Sequence, residues 1–305
     1  MTVAGVVSVL QREIAHGEVL TFYNPMSNSV PTGPRVTRVG HRWATAAEVR
    51  HLARLRARKA SGCFNSLRHF KCCTSVMKRQ PRLDTEQIAL TVPAGSAELA
   101  ADVFLPHGAR GLVVFAHGSG SSRHSPRNQF VAAKINEGGL GTMLIDLLTE
   151  EEEVIDRQTA ELRFDIPLLG ERLAAITDWA VRQRRFADLP LGYFGASTGA
   201  AAALLAAAER PMVVGAVVSR GGRPDLAGAA LPHVLAPTLF IVGGEDHVVL
   251  KLNREAMAQL PKQTKSKLEV VPGATHLFEG PGTLDQVATL ARAWFREHLS
   301  FARQK

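Results

Sequence analysis

From residue 83 onwards, short apolar runs alternate with longer amphipathic patterns, and this alternation restricts the fold more than any other feature of the sequence. The apolar runs are typical of strands that are buried on both faces of a sheet. They cover residues 112–116, 142–145, 191–194, 213–218, 238–242 and, with more polar residues, 267–271. Apolar residues recur at helical spacing over residues 128–137, 166–180, 200–209 and 284–298. The alternation predicts an α/β fold, in which a mostly parallel central sheet carries helices on both faces.

Two further strands are expected at the start of this sheet. Residues 88–92 and 99–105 alternate apolar and polar side chains around the turn Pro93-Ala94-Gly95. This pattern predicts an N-terminal antiparallel hairpin. Since ligands of parallel α/β sheets bind at the carboxyl ends of the strands, functional residues are expected in the loops that follow them.

The charge distribution divides the chain near residue 82. Residues 1–82 contain 14 Lys and Arg and 3 acidic residues, whereas residues 83–305 contain 22 and 25. The net charge of +8 therefore belongs to the N-terminal part, and it does not indicate that the body binds nucleic acid. We interpret residues 1–82 as a basic, poorly ordered N-terminal extension and residues 83–305 as the domain that carries the function.

The extension itself suggests no definite activity. One helix is predicted over residues 45–59, and its arginines could lie on nucleic acid or on a lipid surface. The Arg-rich, acid-poor composition also fits an organelle transit sequence. Cys63, His69, Cys72 and Cys73 are zinc-ligand types, but adjacent cysteines do not easily point at one tetrahedral ion, so no metal site is predicted. Three cysteines are too few for a disulfide scaffold, and the absence of an 18-residue apolar run predicts no membrane span; both favour a cytoplasmic protein.

A predicted strand runs directly into a predicted helix at Gly195-Ala196-Ser197-Thr198-Gly199. A serine at the apex of such a sharp turn has a strained backbone, and small residues two positions before and after it let strand and helix pass closely. The helix N-terminus then directs free N–H groups at a developing oxyanion. Ser197 is therefore the predicted nucleophile, against the alternative of a structural glycine-rich turn.

A nucleophilic serine needs a base, and the base needs a group that orients it. Asp246 follows one predicted strand, and His276 follows the last one in a loop that contains proline and glycine. We predict His276 as the base and Asp246 as its orienting acid. Two alternatives remain open for the acid: Asp246 caps the helix that follows it, or Glu245 takes its place. His247 and His298 suit the base less well, because one adjoins the acid and the other lies on the last amphipathic helix.

The loop after the strand at 112–116 begins His117-Gly118-Ser119-Gly120. Its glycines allow the backbone to turn N–H groups toward a substrate oxygen. We assign the oxyanion hole to the backbone N–H groups of Ser119 and Thr198. His117 is expected to support the loop by hydrogen bonding rather than to act in catalysis.

These segments together resemble the α/β-hydrolase superfamily, and within it the dienelactone-hydrolase-like group. The resemblance is carried by His117-Gly118-Ser119-Gly120, Gly195-Ala196-Ser197-Thr198-Gly199, Gly243-Gly244-Glu245-Asp246 and Gly273-Ala274-Thr275-His276. It covers about residues 85–302, and no part of residues 1–82 takes part in it. It implies an α/β-hydrolase fold with a Ser-His-Asp triad, while lipases, esterases, peptidases and acyltransferases share the serine turn.

The chain departs from the dienelactone hydrolases at one position. Members of that group use cysteine as the nucleophile, whereas residue 197 is serine. The difference disfavours lactone-ring specificity and favours an ordinary ester or related acyl substrate. Residues 146–165 and 219–225 leave no room for a large lid, which disfavours cleavage of lipid at an interface.

Several arginines follow the strands at this edge: Arg123, Arg127, Arg220 and Arg223. Of these, Arg123, Arg220 and Arg223 are predicted substrate-binding residues for a carboxylate or phosphate group. The alternative is that they pair with the acidic residues at 150–153 or with Asp225 on the surface.

The sequence thus predicts a serine hydrolase that cleaves a small soluble ester or related acyl bond through an acyl-enzyme, with a small-molecule acyl substrate as its partner. No cofactor or metal is required, no nucleic acid is expected at the catalytic domain, and no particular oligomeric state is indicated. An acyltransferase on the same triad is one alternative. A non-catalytic binding module with a polyanion-binding basic arm is the other.

Overall fold

The structure is a computed structural model, and it describes residues 8–14, 17–23, 36–39, 42–45 and 84–299. The chain divides into two compact units, Met1–Lys78 and Arg79–Lys305, and each is described by itself. The domain boundary at residue 82 stays a prediction.

The described part of the first unit consists of two antiparallel hairpins. Their strands are β1 (Ser8–Ile14), β2 (Gly17–Tyr23), β3 (Val36–Val39) and β4 (Arg42–Thr45), with β1 paired to β2 and β3 to β4. The sequence analysis predicted no strand in this segment. The helix predicted over residues 45–59 lies outside the described residues, except for Thr45, which ends β4. The three cysteines and His69 also lie outside the described residues.

The second unit contains one eight-stranded sheet. Its strands are β5 (Thr85–Ala94), β6 (Ala97–Pro106), β7 (Leu112–Ala116), β8 (Gly141–Ile145), β9 (Leu191–Ala196), β10 (Val214–Arg220), β11 (Thr238–Gly243) and β12 (Ser266–Val271). They lie in the order β12-β11-β10-β9-β7-β8-β6-β5. The six strands from β12 to β8 are parallel, whereas β6 is antiparallel to β8 and β5 to β6.

Six α-helices accompany this sheet. They are α1 (Pro126–Asn136), α2 (Glu150–Thr159), α3 (Ile166–Ala180), α4 (Thr198–Glu209), α5 (His247–Met257) and α6 (Thr283–His298). Two 3-10 segments, Leu162–Phe164 and Pro224–His233, complete the unit. The predicted fold class is confirmed: a mostly parallel sheet with an antiparallel hairpin at its N-terminal end and helices on both faces.

Alternating side chains of the strands supply two separate cores. In β7, Val114 belongs to the core formed with α3 and α4, whereas Val113 and Phe115 belong to the core formed with α1 and α6. Phe115 stacks on Phe194 of the neighbouring β9 with 4.7 Å between ring centroids. Burial on both faces explains why β7 is apolar at every position.

The fold brings the predicted site residues to one edge of the sheet. The parallel strands β7, β9, β10, β11 and β12 all end at this edge, so the loops that follow them meet there. Within residues 84–299, no helix is both long and apolar enough to cross a membrane, and no three His, Cys, Asp or Glu side chains are grouped so that they could hold a metal ion.

Candidate active site

Ser197 occupies the turn between β9 and α4. The strand ends at Ala196 and the helix begins at Thr198, so a single residue reverses the chain direction. Ser197 has φ 50° and ψ −120°, a backbone conformation that residues with a Cβ rarely adopt. Such a conformation costs on the order of 1–3 kcal/mol and persists only where the surroundings enforce it. The half-buried side chain stands at the carboxyl edge of the sheet.

The two flanking glycines are required by close backbone contacts. A Cβ on Gly195 would lie 2.4 Å from the Ala200 Cα. A Cβ on Gly199 would lie 2.3 Å from the carbonyl oxygen of Ala116 and 2.4 Å from that of His117. These separations are about 1 Å shorter than ordinary van der Waals contact. Any side chain at either position would therefore push the helix away from β9 or from the end of β7.

Asp246 and His276 form a hydrogen bond. The Asp246 Oδ2 lies 2.7 Å from the His276 Nδ1, and the side chains are 15% and 39% exposed. An ionised carboxylate can only accept, so Nδ1 carries the proton and Nε2 keeps a free lone pair. Asp246 stands at the N-cap position of α5 but makes no capping hydrogen bond with its side chain. Glu245, the alternative acid, is exposed.

Backbone contacts hold the Asp246 turn against the His276 loop. The N–H of Gly244 donates to Val271 O at 2.8 Å, and that of Glu245 donates to Ala274 O at 3.0 Å. A Cβ on Gly243 would lie 2.3 Å from the same Ala274 oxygen, so only glycine fits there. The acid and the imidazole, 30 residues apart, are thus fixed by the packing of two loops at the ends of neighbouring strands.

The segment after β10 lies between the serine turn and the histidine loop. The N–H of Arg223 donates to Ser197 O at 3.0 Å, and a Cβ on Gly221 would lie 3.1 Å from His276 O and 3.6 Å from its Cε1. Among the described residues, Ser197 Oγ makes no hydrogen bond, so the structure joins the acid to the imidazole but does not join the imidazole to the serine. Hydrogen bonds of this kind are often long without substrate and shorten when it binds.

The loop after β7 packs directly on Ser197. A Cβ on Gly118 would lie 3.0 Å from the Ser197 Cβ, which shows how closely the two segments approach. The backbone N–H groups of Ser119 and Thr198 make no hydrogen bond with any described residue. Two free donors beside a serine are what stabilisation of an oxyanion requires.

His117 fixes the orientation of this loop. Its Nε2 accepts a hydrogen bond from the Leu147 N–H at 3.1 Å, so its Nδ1 carries the proton and donates to Gly118 O at 3.0 Å. In a planar trans peptide the C=O and the next N–H point in opposite directions, so the Ser119 N–H is turned away from the imidazole. Burial lowers the pKa of His117 and keeps the ring neutral.

A partly buried ion pair between Arg172 and Glu152 holds Leu147, the residue that donates to His117. The Arg172 Nη1 donates to Leu147 O at 2.8 Å, and the guanidinium binds both Glu152 carboxylate oxygens at 2.5 and 2.6 Å. Hydrogen bonding to Arg172 lowers the pKa of Glu152. Glu152 also forms a capping box with Thr149 at the start of α2. The sequence analysis missed this network, although the Thr149-Glu152 spacing is a recognisable helix-start signal.

Two of the three predicted substrate-binding arginines are engaged by carboxylates. Arg123 pairs with Asp146, to which it also donates from its backbone N–H at 2.6 Å, and its Nε lies 3.4 Å from Asp102 Oδ2. Arg223 binds both Asp225 oxygens at 2.8 and 2.9 Å. The pairing with Asp225 is the alternative that the sequence analysis left open.

Arg220 differs from both. It is only 6% exposed, and within residues 84–299 it forms no ion pair. Its Nη2 donates to Asn128 Oδ1 at 3.0 Å, and its guanidinium carbon lies 6.0 Å from the centre of the Phe278 ring. Burial, and after it the positive charge of Arg127, lower the pKa of Arg220 to about 10.

Several known proteins are similar to this chain. Residues 99–304 match the family model described as the dienelactone hydrolase family. A crystal structure of a dienelactone hydrolase from Anabaena variabilis is 56% identical, with a TM-score of 0.69, over 70% of this chain and 99% of that one. Est1E from Butyrivibrio proteoclasticus is 16% identical, with a TM-score of 0.57, over 69% of this chain and 98% of that one, and it shows the fold alone.

Two curated proteins of Mycobacterium tuberculosis also match. Each is 57% identical over 219 residues, which make up 72% of this chain and 48% of the relative, and each carries a provisional name as a phosphoribosyl transferase. The chain thus spans about half the length of the curated relatives it matches.

Proposed function

The chain belongs to the dienelactone hydrolase family, and from this premise we propose that it hydrolyses a small ester or related acyl bond through an acyl-enzyme on Ser197. The observation that carries the proposal is the strained backbone of Ser197, φ 50° and ψ −120°, between two glycines that admit no side chain. Strain of this kind is retained where it exposes a reactive group.

In the proposed first step, the Ser197 Oγ attacks the carbonyl carbon of the substrate. The His276 Nε2 accepts the hydroxyl proton as the new C–O bond forms, and the Asp246 carboxylate at Nδ1 stabilises the resulting imidazolium. The N–H groups of Ser119 and Thr198 bind the oxyanion of the tetrahedral intermediate. His276 then returns the proton to the leaving alkoxide, which departs as an alcohol.

The second step repeats this chemistry with water. Water attacks the acyl carbonyl carbon while His276 Nε2 takes its proton, and the bond from the carbonyl carbon to Ser197 Oγ breaks. The proton goes back to the serine oxygen, which releases the carboxylic acid and restores the enzyme. His117, neutral and oriented by Leu147, contributes no proton to either step but holds the Ser119 N–H in place.

A fluorophosphonate probe and short p-nitrophenyl esters test this proposal. We expect the probe to label Ser197, and Ser197→Ala to abolish both labelling and ester hydrolysis. Ser266→Ala, a serine at the start of β12, is the matched control and should retain both. Unchanged turnover in Ser197→Ala would refute the proposal, whereas product analysis with added alcohols or thiols separates hydrolysis from acyl transfer.

The name of the curated relatives does not transfer to this chain. About half of each relative lies outside the match, so the phosphoribosyl transfer in its provisional name can refer to the unmatched part. The proposed acyl-enzyme chemistry concerns the matched part alone. Absence of any labelling or turnover, together with binding of polyanions that depends on residues 1–82, would instead favour a binding module.

A further inference from the structure

Arg220 is a buried cation for which the described chain provides no counter-ion. It is the last residue of β10, at the carboxyl edge of the sheet, and 6% of the residue is exposed. Transfer of a charged group out of water is costly unless a partner of opposite charge or a full set of hydrogen bonds compensates it. Arg220 has one hydrogen bond, to Asn128, where a guanidinium can donate five.

The unused donors of Arg220 are of two kinds. The Nε is fully buried and has no hydrogen-bond partner. The Nη1 makes no hydrogen bond with the described residues either, but it is not fully buried and keeps contact with solvent. An anion that reaches Arg220 from solvent would therefore meet the Nη1 first.

A second positive group faces the same region. Arg127 is the second residue of α1 and directly precedes Asn128, whose side chain accepts the hydrogen bond from Arg220. Its positive charge also lowers the pKa of Arg220. Its guanidinium lies 4.0 Å from Glu279, and both of these side chains are substantially exposed, at 39% and 66%. An exposed pair at this separation neutralises little of the charge. The N-terminal end of α1 adds its own positive potential.

This positive region adjoins the proposed reaction centre. The carbonyl oxygen of Arg220 accepts a hydrogen bond from the Ser197 N–H at 3.2 Å, and β10 and β9 are adjacent parallel strands. A Cβ built on the next residue, Gly221, would lie 3.1 Å from His276 O and 3.6 Å from its Cε1, so the backbone after Arg220 passes close to His276. The Arg220 backbone is therefore next to both Ser197 and His276, which is the basis for placing a group bound by its side chain in the same molecule that Ser197 attacks.

We propose that Arg220 and Arg127, with the N-terminus of α1, bind a phosphate group carried by the substrate, so that the enzyme cleaves an acyl bond in a phosphate-bearing ester. The inference rests on the proposed function. Two guanidinium groups match the charge of a phosphate monoester, about −1.5 to −2 at neutral pH, better than they match the single charge of a carboxylate.

The test uses inorganic phosphate as an inhibitor of p-nitrophenyl acetate hydrolysis, at constant ionic strength to remove screening effects. We expect competitive inhibition by phosphate and much weaker inhibition by acetate. Arg127→Gln should raise the phosphate inhibition constant roughly tenfold, the effect of one charge-assisted hydrogen bond, and Arg220→Gln should raise it further. Arg210→Gln, which removes a charge that Asp178 pairs at the far end of α4, should change neither inhibition nor turnover.

Calorimetry with Ser197→Ala separates the two hypotheses. If ester hydrolysis is absent, the proposed function fails, but phosphate binding to this variant still tests the anion site. If hydrolysis is present and millimolar phosphate neither inhibits nor binds, the anion site is refuted. Equal inhibition by acetate and phosphate would also overturn it, in favour of a carboxylate. Should Arg220→Gln not fold, Arg127→Gln decides, and an unchanged inhibition constant there contradicts the proposal.

Discussion

Gly199→Ala is expected to displace both Ser197 and the loop after β7 that carries Ser119, although it replaces no residue of either. The added Cβ would lie 2.3 Å from the Ala116 oxygen and 2.4 Å from the His117 oxygen. Both oxygens belong to the backbone, so no side chain can rotate to relieve the contact. The start of α4 and the end of β7 must therefore separate by about 1 Å to reach ordinary contact distance.

The size of the effect follows from this separation. Overpacking of a rigid site costs typically 1–3 kcal/mol of stability. The same movement displaces Ser197, in the turn before α4, and Thr198, its first residue, from Ser119 by about 1 Å. Misplacement on that scale can lower a rate on the order of 100-fold. The loss should fall on kcat, because the oxyanion contacts strengthen in the transition state.

Pre-steady-state acylation by p-nitrophenyl acetate measures this prediction, with thermal unfolding of the same sample as the stability readout. Gly280→Ala is the control, since its Cβ would meet only the Thr283 side chain, at 3.2 Å or more. We expect the control to acylate at the wild-type rate. Acylation of folded Gly199→Ala within twofold of wild type would refute the argument from close contact.

Three further predictions concern the groups around Ser197. Asp246→Asn should leave the fold intact and lower kcat about 10⁴-fold, because the amide no longer fixes the proton on His276 Nδ1; a loss below tenfold, measured with p-nitrophenyl acetate, would contradict this. Arg172→Met should lower kcat with little change in KM, since it releases Leu147 and so the oxyanion loop, and a change confined to KM would count against it. Burial lowers the pKa of His117 in the folded protein, so the unfolded chain takes up this proton first as the pH falls below about 6.5. The contribution of neutral His117 to stability is therefore present above that pH and lost below it. Urea unfolding between pH 8 and 5 should show the decline in the free energy of unfolding.

The sequence predicted the sheet well because its strands are buried on both faces. The runs at 112–116 and 238–242 correspond to β7 and β11 within one residue. The sequence analysis did not predict helix α2. This helix has four acidic residues in its first turn and a single buried residue, Asp156, so no apolar stripe indicates it. It is held by capping and by the contact of Glu152 with Arg172. Apolar periodicity does not predict a helix that is stabilised by such polar contacts.

In the candidate site too, features set by local sequence are predictable and features set by distant contacts are not. The glycines around Ser197 can be recognised in the sequence because a tight turn requires them locally. The sequence places Asp246 and His276 after two strands that end at the same edge of the sheet, and their side chains form a hydrogen bond. The environments of the arginines depend instead on residues distant in sequence. Arg123 forms ion pairs with Asp102 and Asp146. Nothing in the local sequence of Arg220 indicates that it is buried.

The contrast between these arginines connects stability with specificity. A protein that only needed positive charge at this edge of the sheet could hold it on exposed side chains, as it does at Arg127. Burial of Arg220 gives up hydration, which is the main stabilisation of a cation, and one hydrogen bond to Asn128 does not replace it. A bound anion would restore that stabilisation and would gain from the low dielectric around it. The burial that lowers the stability of the free protein would thus increase its preference for an anionic substrate over a neutral one. We therefore expect the charge of the substrate, rather than its acyl chain, to dominate selectivity.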